Sequence, residues 1–499
     1  MAFDLKEIYD LMSEPTDQEK DLIGRAFDFA QKAHQGQKRL SGEPYISHPF
    51  AVGKILASLK ADSETIVAGL IHDTLEDTPI TTDDIKKEFG GKVLFLVEGV
   101  TKLGKIKYQG LERHVESLRK FFMAMAQDIR VVIIRLADRL HNIQTLQYVP
   151  EHKQKRIALE TIEIYAPIAN RLGIWKLKGA LEDGSFPYIY PKEYAMVVKL
   201  RKTKGRETIK RLNKIYRQLN RELVDKGFKD FQIDYRIKYL YSLYMKLKQN
   251  NMDIEKIYDI SAIRIIVNSI EDCYQVLGII HAKWRPAPGK LKDYIALPKP
   301  NGYQSIHTGV FTGDGIIEIQ IRTKVMHYEA EYGIASHLAY DESGKKKTGG
   351  KFSKKVQWLS DLLEAQKKVA DGKEFLDLIK GDFFKEHIFV FTPKGDVIEL
   401  PINSTVLDFA YAIHSDIGDH TAGAIVNNKF VSLDTILHNN DIVTIEVKEK
   451  NHPSRRWFNY IKTNNAKRHI RLYIQNHQSD RFGLLQKFNP LKKKGRVKQ

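Results

Sequence analysis

Residues 290–307 read KLKDYIALPKPNGYQSIH. Three lysines (Lys290, Lys292, Lys299), two tyrosines, an aspartate and a histidine surround the segment Pro298-Lys299-Pro300-Asn301-Gly302. Proline has no N–H to give to a ladder, and Asn-Gly favours open turns, so this core is neither helix nor central strand. It reads as a shaped loop between two strand-like pieces. Lysines beside an aromatic suit a polyphosphate that carries a base, with ammonium groups on the phosphates and a ring on the base. The plain alternative is a solvated basic loop, and the residue types alone leave both open.

Outward from the loop the pattern is α/β. Downstream, IIEIQIRT (316–323) alternates, so Glu318, Gln320 and Arg322 share one face and isoleucines fill the other. Upstream, FQIDYRIKYLYSLYMKL (231–247) begins as strand and turns helical, ISAIRIIV (260–267) is a β-branched run, and CYQVLGIIHAKW (273–284) is helical. Asp259 opens one strand and Glu318 lies in another. Two carboxylates on adjacent strands near a lysine-rich loop make a magnesium site for phosphate chemistry; edge-strand solubility is the alternative. No Walker-type glycine loop and no G-x-G-x-x-G occurs, which disfavours P-loop and Rossmann readings.

Residues 1–195 read as an all-α bundle. LIGRAFDFAQKAHQ (22–35), TIVAGLIHDTLED (65–77), VVIIRLADRLHNIQTL (131–146) and RIALETIEIYAPIANRLG (156–173) carry apolar residues at helical spacing. Polar residues interrupt the apolar stripes. His72 and Asp73 are followed one turn later by Glu76 and Asp77, which predicts neighbouring stripes on one helix. His48 lies upstream in PYISHP, and Asp138 and Asn142 are i, i+4 in a further helix. Two imidazoles and two carboxylates form a mixed N/O set for a divalent metal that leaves room for water and phosphate. A lone buried histidine is usually structural; His-Asp in tandem, with a further His and Asp on other helices, is a stronger signal.

The remainder is linker, a small third unit and a basic tail. Residues 191–229 form a basic helix between the two larger units and a route for coupling them. DESGKKKTGGKFSKK (341–355) reads as a mobile loop, and QWLSDLLEAQKKVADGKEFLDLIK (357–380) as amphipathic helix. Residues 386–448 place two strands around Pro393–Asp396, a helix after Ser404-Thr405, and further strands with Asn-Asn turns, which fits a small β-grasp. Formal net charge is +18. From Asn451 onward there are 13 Lys or Arg and one acid, Asp480, among interspersed aromatics, which points to nucleic acid or else to a solvated basic face. Cys273 is the one cysteine, so no disulfide framework forms and a reducing cytoplasm is expected. The polar N-terminus is no secretory signal, and no apolar run is long enough for a membrane span.

The H…HD…D pattern resembles the HD metal-dependent phosphohydrolase superfamily. QKRLSGEPYISHP, GLIHDTLEDT and RLADRLHNIQTL further resemble the hydrolase domain of the RelA/SpoT homologue family, which makes and destroys guanosine tetra- and pentaphosphate, (p)ppGpp. The resemblance implies that His48, His72, Asp73 and Asp138 hold one Mn2+, that Glu76 and Asp77 position and deprotonate water, and that Arg39 and Asn142 face the nucleotide. Leu40 stands where a second basic residue often follows the arginine.

IYDISAIRIIV, LKDYIALPKPNGYQSIHT and IEIQIRT resemble the same family's synthetase motifs, on a nucleotidyltransferase-like α/β fold. That implies Asp259 and Glu318 managing Mg2+ and the acceptor 3′-hydroxyl. Arg236, Lys238, Ser242 and Arg264 would bind ATP, Lys292 and Lys299 the phosphates, and Tyr303 would stack on the guanine of GDP or GTP. Asn301, His307 and Gln320 would shape the site. Tyr235-Arg236-Ile237-Lys238-Tyr239 replaces the usual Gly-Arg-Pro-Lys-His, while Lys290-Leu291-Lys292-Asp293 keeps the basic form found in bifunctional members.

The third unit resembles the TGS domain of long members, which meets the ribosome-bound, uncharged tRNA; Gly418-Asp419-His420-Thr421 stands for the usual Gly-His-Arg-Cys. Residues 449–499 resemble the start of the helical domain that follows, and no counterpart of the zinc-finger and ACT domains of long members is expected within these 499 residues. The expected organisation is multidomain: 1–195 hydrolase, 196–340 synthetase with its leading linker helix, 341–385 loop and connecting helix, 386–448 TGS β-grasp, 449–499 basic helical segment. The expected function is a bifunctional enzyme, a GTP/GDP 3′-pyrophosphokinase and a guanosine-3′,5′-bis(diphosphate) 3′-diphosphohydrolase. An HD hydrolase with a silent nucleotide-sensing domain and a ribosome- or RNA-binding regulator are the other classes left open.

Overall fold

A computed structural model of the chain describes residues 3–104, 123, 127–253, 261–299, 301–313, 315–335 and 387–487. Asp259, the 341–355 loop and the 357–380 helix expected from sequence lie outside the described residues. The chain forms two compact units, Met1–Glu364 and Ala365–Gln499.

The first unit starts with helices α1 (Lys6–Tyr9), α2 (Asp17–Ala33), α3 (Ser47–Ser58), α4 (Ser63–Ile71), α5 (Thr74–Asp77), α6 (Thr82–Gly104) and α7 (Ile129–Gln144). Side chains start them where the sequence supplies an acceptor. Thr16 and Glu19 form a capping box on α2, Asp62 accepts from Thr65 N on α4, and Asp128 from Arg130 N on α7. α6 bends at Gly90, whose φ of 84° is a left-handed conformation that glycine adopts without strain. α8 (Glu151–Glu160) and α9 (Ala166–Arg171) are joined by a π-helical turn, Thr161–Tyr165, and α10 (Trp175–Ile189) follows. The 156–173 segment is thus not one regular helix: the π turn carries Tyr165 to the guanidinium of Arg139 at 3.0 Å.

The expected single helix through His72 is also broken. α4 stops at Ile71, Asp73 heads the short α5, and no continuous ladder joins them. Two local side-chain bonds compete with the ladder, His72 Nδ1 to Gly69 O and Thr74 Oγ1 to Ile71 O. The break lets Asp73 and Asp77 meet one tyrosine hydroxyl, that of Tyr45, at 2.9 and 2.7 Å.

α11 (Pro191–Asp225) leads without interruption from the helical part into the sheet. Then come β1 (Gln232–Ile237), α12 (Leu240–Gln249), β2 (Ser261–Val267), α13 (Ile270–Lys283), β3 (Lys292–Asp293), β4 (Ile306–Thr312), β5 (Gly315–Thr323) and α14 (Lys324–Tyr332). The order is β1-β2-β5-β4-β3, antiparallel except for the parallel β2–β5 pair. Ile263, Ile265, Ile317, Ile319 and Ile321 pack one face against Leu219 and Leu223 of α11 and Val276 and Ile280 of α13. The period of two sends the polar partners to the opposite face, and register lines them up. One transverse row is Arg236, Ala262, Glu318, Gly309; the next is Asp234, Arg264, Gln320, His307, Lys292.

The second unit holds β6 (His387–Phe391), β7 (Val397–Pro401), α15 (Val406–Ile413), α16 (Ser415–Asp419), β8 (Thr421–Val426), β9 (Lys429–Val431), β10 (Val443–Val447) and α17 (Asn464–Lys487). Sheets β10-β8-β9 and β6-β7 wrap α15, a β-grasp arrangement. Asn427 and Asn428 make the β8–β9 turn at φ 47° and 66°, a conformation asparagine tolerates. Asp408, fully buried, caps α15 and accepts from Lys462 N and Thr463 N, which fixes the start of α17.

Candidate active sites

The first site lies where α3, α4, α5 and α7 meet. His48 Nε2 is 3.3 Å from Asp138 Oδ1 and 3.4 Å from Asp73 Oδ2; His72 Nε2 is 3.1 Å from Asp73 Oδ1 and 3.9 Å from Asp138 Oδ1. His48, His72 and Asp138 are buried and offer ligand atoms within 4.8 Å of one another. His72 Nδ1 bonds the Gly69 carbonyl, and its Nε2 is buried without a hydrogen-bond partner. An orphaned imidazole nitrogen aimed between two carboxylates fits a divalent cation. The electrostatics agree. Burial opposes charge on His72, yet Asp73 and Asp138 outweigh it and raise the ring to about 9; the site is an anionic cage that attracts positive charge.

Around this cluster opens a cavity of about 490 Å3 lined by Lys38, Arg39, Leu40, Tyr45, Arg135, Arg139, Asn142 and Thr145 among others. Arg39 is held at its mouth by a turn whose Gly42 sits at φ 86°. Asn142 donates to Asp138 Oδ1 at 2.5 Å and accepts from Arg39 Nη2 at 3.2 Å, so ligand and cavity wall are one chain of bonds. Burial, with Asp73 next, raises the Glu76 carboxyl, which moves it toward the range useful for a base at neutral pH. Sequence reasoning passed over three polar neighbours: Tyr45, Arg135 (2.6 Å from Asp138 Oδ2) and His141, whose Nδ1 lies 2.7 Å from His48 Nδ1. Burial, then His48 and Arg39, hold His141 down at about 3, so it is neutral. The i, i+3 spacing of Arg135 and His141 from Asp138 was the available signal.

The second site is the polar face of the sheet. Ala262 and Gly309 flank Glu318 in the first row, and their small size leaves a cavity of about 390 Å3. Arg236, Lys238, Lys292, Lys299, His307, Glu318 and Gln320, all expected from sequence, line it, as do Lys290 and Tyr294 of the 290–307 stretch; Lys246 and Asn250 were not expected. Glu318 Oε1 accepts from Gln320 at 2.8 Å and lies 3.2 Å from His307 Nδ1. Burial works against its charge, but His307, Gln320 and Arg236 together outweigh burial and hold the carboxyl well below the usual range.

Four expected residues do not line this cavity. Tyr303 is buried at 8% exposure, its hydroxyl 2.8 Å from His307 Nε2 and its ring against Trp175 of α10. Asn301 donates to Asn170 O, Ser242 to Glu182, and Arg264 pairs with Glu331 at 3.2 Å. The helical part grips the sheet part closely here. A Cβ on Gly333 (φ 56°) would stand 2.4 Å from Leu172 O, and Asp183 of α10 accepts from Leu240 N and Tyr241 N at the start of α12.

These features define a protein with an HD-like divalent-metal site in a helical domain, joined to a mixed-sheet α/β domain with a lysine-lined carboxylate cavity. Comparison with known proteins agrees. The HD domain model matches residues 26–175, the region found in RelA / SpoT proteins matches 235–345, and the TGS domain matches 388–446. A GTP pyrophosphokinase of Myxococcus xanthus is 45% identical over 471 residues, 93% of this chain and 62% of that protein. A guanosine-3′,5′-bis(diphosphate) 3′-pyrophosphohydrolase of Aquifex aeolicus is 45% identical over 467 residues, 93% of this chain and 66% of that protein. The bifunctional (p)ppGpp synthase/hydrolase SpoT of Escherichia coli K12 is 42% identical over 468 residues, 93% and 66%. The chain belongs to the RelA/SpoT homologue family, and it spans under two thirds of the length of these relatives. Among the described residues no helix is long and apolar enough to cross a membrane.

Proposed function

We propose that this chain makes and destroys (p)ppGpp: it transfers pyrophosphate from ATP to the 3′-hydroxyl of GDP or GTP, releasing AMP, and hydrolyses (p)ppGpp to GDP or GTP and pyrophosphate. The observation that carries the reading is the meeting of His48, His72-Asp73 and Asp138 from three segments around His72 Nε2, which lacks a hydrogen-bond partner, in a chain that also bears the Glu318 cavity. The relatives' names supply the two reactions.

For hydrolysis, those four residues would hold Mn2+, which supplies charge neutralisation and an acidified water. Asp77, held by the Tyr45 hydroxyl, and Glu76 would orient that water and take its proton. Arg39 and Asn142 would seat the nucleotide, with Arg135 and Arg139 facing its phosphates. For synthesis, Glu318 with Asp259 would hold Mg2+ and accept the 3′-hydroxyl proton. Arg236, Lys238, Ser242 and Arg264 would bind ATP; Lys292 and Lys299 would take phosphates. Tyr303 would stack on guanine, with Asn301, His307 and Gln320 shaping the pocket. Such stacking requires Tyr303 to leave its buried position.

The domain limits follow this division: 1–195, 196–340, 341–385, 386–448 and 449–499. The β-grasp and basic segment would contact ribosome and uncharged tRNA in the cytoplasm. Support comes from a ladder of rings, His420, His452, Tyr473 and His477, the last pair 4.0 Å apart. The test is a product assay on the purified chain: ATP, GDP and Mg2+ in one reaction, ppGpp and Mn2+ in another, resolved by anion exchange. AMP with ppGpp, and GDP with pyrophosphate, are expected. Turnover in the second reaction alone would favour a silent sensor domain.

A further inference from the structure

We propose that His141 is the positioning residue that decides which nitrogen of His48 faces the metal pocket. The proposal rests on reading His48, His72, Asp73 and Asp138 as a divalent-metal site. The rings of His48 and His141 meet Nδ1 to Nδ1 at 2.7 Å, their centroids 4.9 Å apart. At that separation one nitrogen carries the proton and the other the lone pair. The two choices have opposite consequences on the far side of the His48 ring. If His48 donates, its Nε2 is a bare lone pair directed at Asp73 and Asp138, the form a metal ligand needs. If His48 accepts, its Nε2 carries the proton and gives it to Asp138 Oδ1 at 3.3 Å or Asp73 Oδ2 at 3.4 Å. That form cannot ligate.

The other histidine of the site has no such choice. His72 Nδ1 faces the Gly69 carbonyl at 2.8 Å, an oxygen that can only accept, so in the neutral ring the lone pair falls on Nε2. One ligand is locked by the backbone, and the other is set by a ring able to take either role. The placement follows from helix geometry. Asp138 and His141 are three residues apart on α7 and share a face. The helix therefore puts a ligand in front of His48 and the orienting ring behind it, 93 residues away along the chain. Loss of such an outer partner typically weakens a metal site about 10–100-fold.

The test titrates Mn2+ into the full chain without nucleotide and reads free Mn2+ by electron paramagnetic resonance. In His141→Asn the amide oxygen stands near the lost Nδ1 and can accept; His141→Leu removes the acceptor; His72→Ala removes a ligand. Affinity of the helical-domain site about 10–100-fold weaker in His141→Leu and within about threefold of wild type in His141→Asn, and loss of that one site in His72→Ala with any binding at Glu318 kept, are expected. Melting of the metal-free variants reports folding. Wild-type affinity in a folded His141→Leu overturns the proposal. If His141→Leu does not fold, His141→Asn decides alone, and a tenfold loss there overturns it. Should His72→Ala bind Mn2+ as wild type does, the metal-site reading fails and takes the proposal with it.

Discussion

The two cavities of the first unit differ in what their polar groups are doing. In the helical cavity His48, His72 and Asp138 bring ligand atoms within 4.8 Å of one another, Asp73 lies 3.4 and 3.1 Å from the two imidazoles, and His72 Nε2 has no hydrogen-bond partner. On the sheet, Glu318 is bonded to His307 and Gln320, His307 to Tyr303, and Arg264 to Glu331. A buried orphan atom signals a missing partner, because burying it unpaired costs about 1–3 kcal/mol. The sheet has orphans too, Gln320 Oε1 and Arg264 Nε, but there the groups expected to meet a nucleotide are already bonded to protein neighbours and must exchange partners before they bind. The helical cavity therefore holds its candidate ligands together for a cation, whereas on the sheet Tyr303 and Arg264 must change partners to meet a nucleotide.

The largest expected effects separate the two sites outright. His72→Ala should lower ppGpp hydrolysis by about three orders of magnitude, the several kcal/mol a metal contributes at a phosphoryl centre, and leave synthesis within about twofold. Anion-exchange assays of both reactions check it; equal losses in both would mean that the cavities are not independent. Glu318→Gln should do the reverse, with synthesis down about 100- to 10,000-fold. Because His307, Gln320 and Arg236 hold Glu318 below the usual carboxylate range, Glu318 stays ionised at and above its ordinary pKa. The acid limb of the synthesis pH profile should accordingly lie below that of a free glutamate. A limb above pH 5 that vanishes in Glu318→Gln would break this account.

A smaller effect concerns the joint between the sites. Asp183 of α10 caps α12, directly after Arg236 and Lys238. On its other side α10 packs Gly184 against Ile143 of α7, the helix of Asp138; a Cβ there would stand 2.4 Å from Ile143. Coupling was expected through the basic linker, and α10 offers a shorter route. Asp183→Ala should cost about 1 kcal/mol of stability in urea melts, the usual value of a cap. It should also weaken the effect of an ATP analogue on ppGpp hydrolysis. An unchanged effect would return the coupling to α11.

What the sequence disclosed follows from how local each signal is. The alternation of Glu318, Gln320 and Arg322 with isoleucine is contained in eight residues, and it placed the polar face of β5 before any neighbour was known. The His and Asp residues stood out because charge in an apolar helix demands a reason. By contrast, the break after Ile71 arises from side-chain bonds that compete with the helix ladder, and helical periodicity runs straight through it. Ala262 and Gly309 make the second cavity by being small, which has no signature without register. Ser242 and Asn301 are drawn to Glu182 and Asn170, 60 and 131 residues away, and no window of sequence contains such pairs.

The smallest expected effect tests whether the sheet site is electrostatically self-contained. Arg322 is almost fully buried, donates to His327 Nδ1 at 2.9 Å and shares Glu331 with Arg264. A nitrogen that accepts from a guanidinium carries no proton, so His327 must be neutral in the fold. Burial first, then Arg322 and Arg264, against the weaker pull of Glu331 and Asp234, bring its pKa down to about 4. The unfolded ring titrates near its ordinary ~6.5. The unfolded chain thus binds the proton first, so this contribution to stability is complete above pH 6.5 and is lost as pH falls toward 4. His327→Gln keeps an acceptor and does not titrate. Its melting temperature should fall less than that of wild type between pH 7 and pH 4.5, by no more than about 3 °C for a unit of this size. Parallel curves would mean that the arginines already have their counter-charge. In that case the sheet cavity would be as settled as its hydrogen bonds make it look, and its opening would have to be driven by substrate contacts alone.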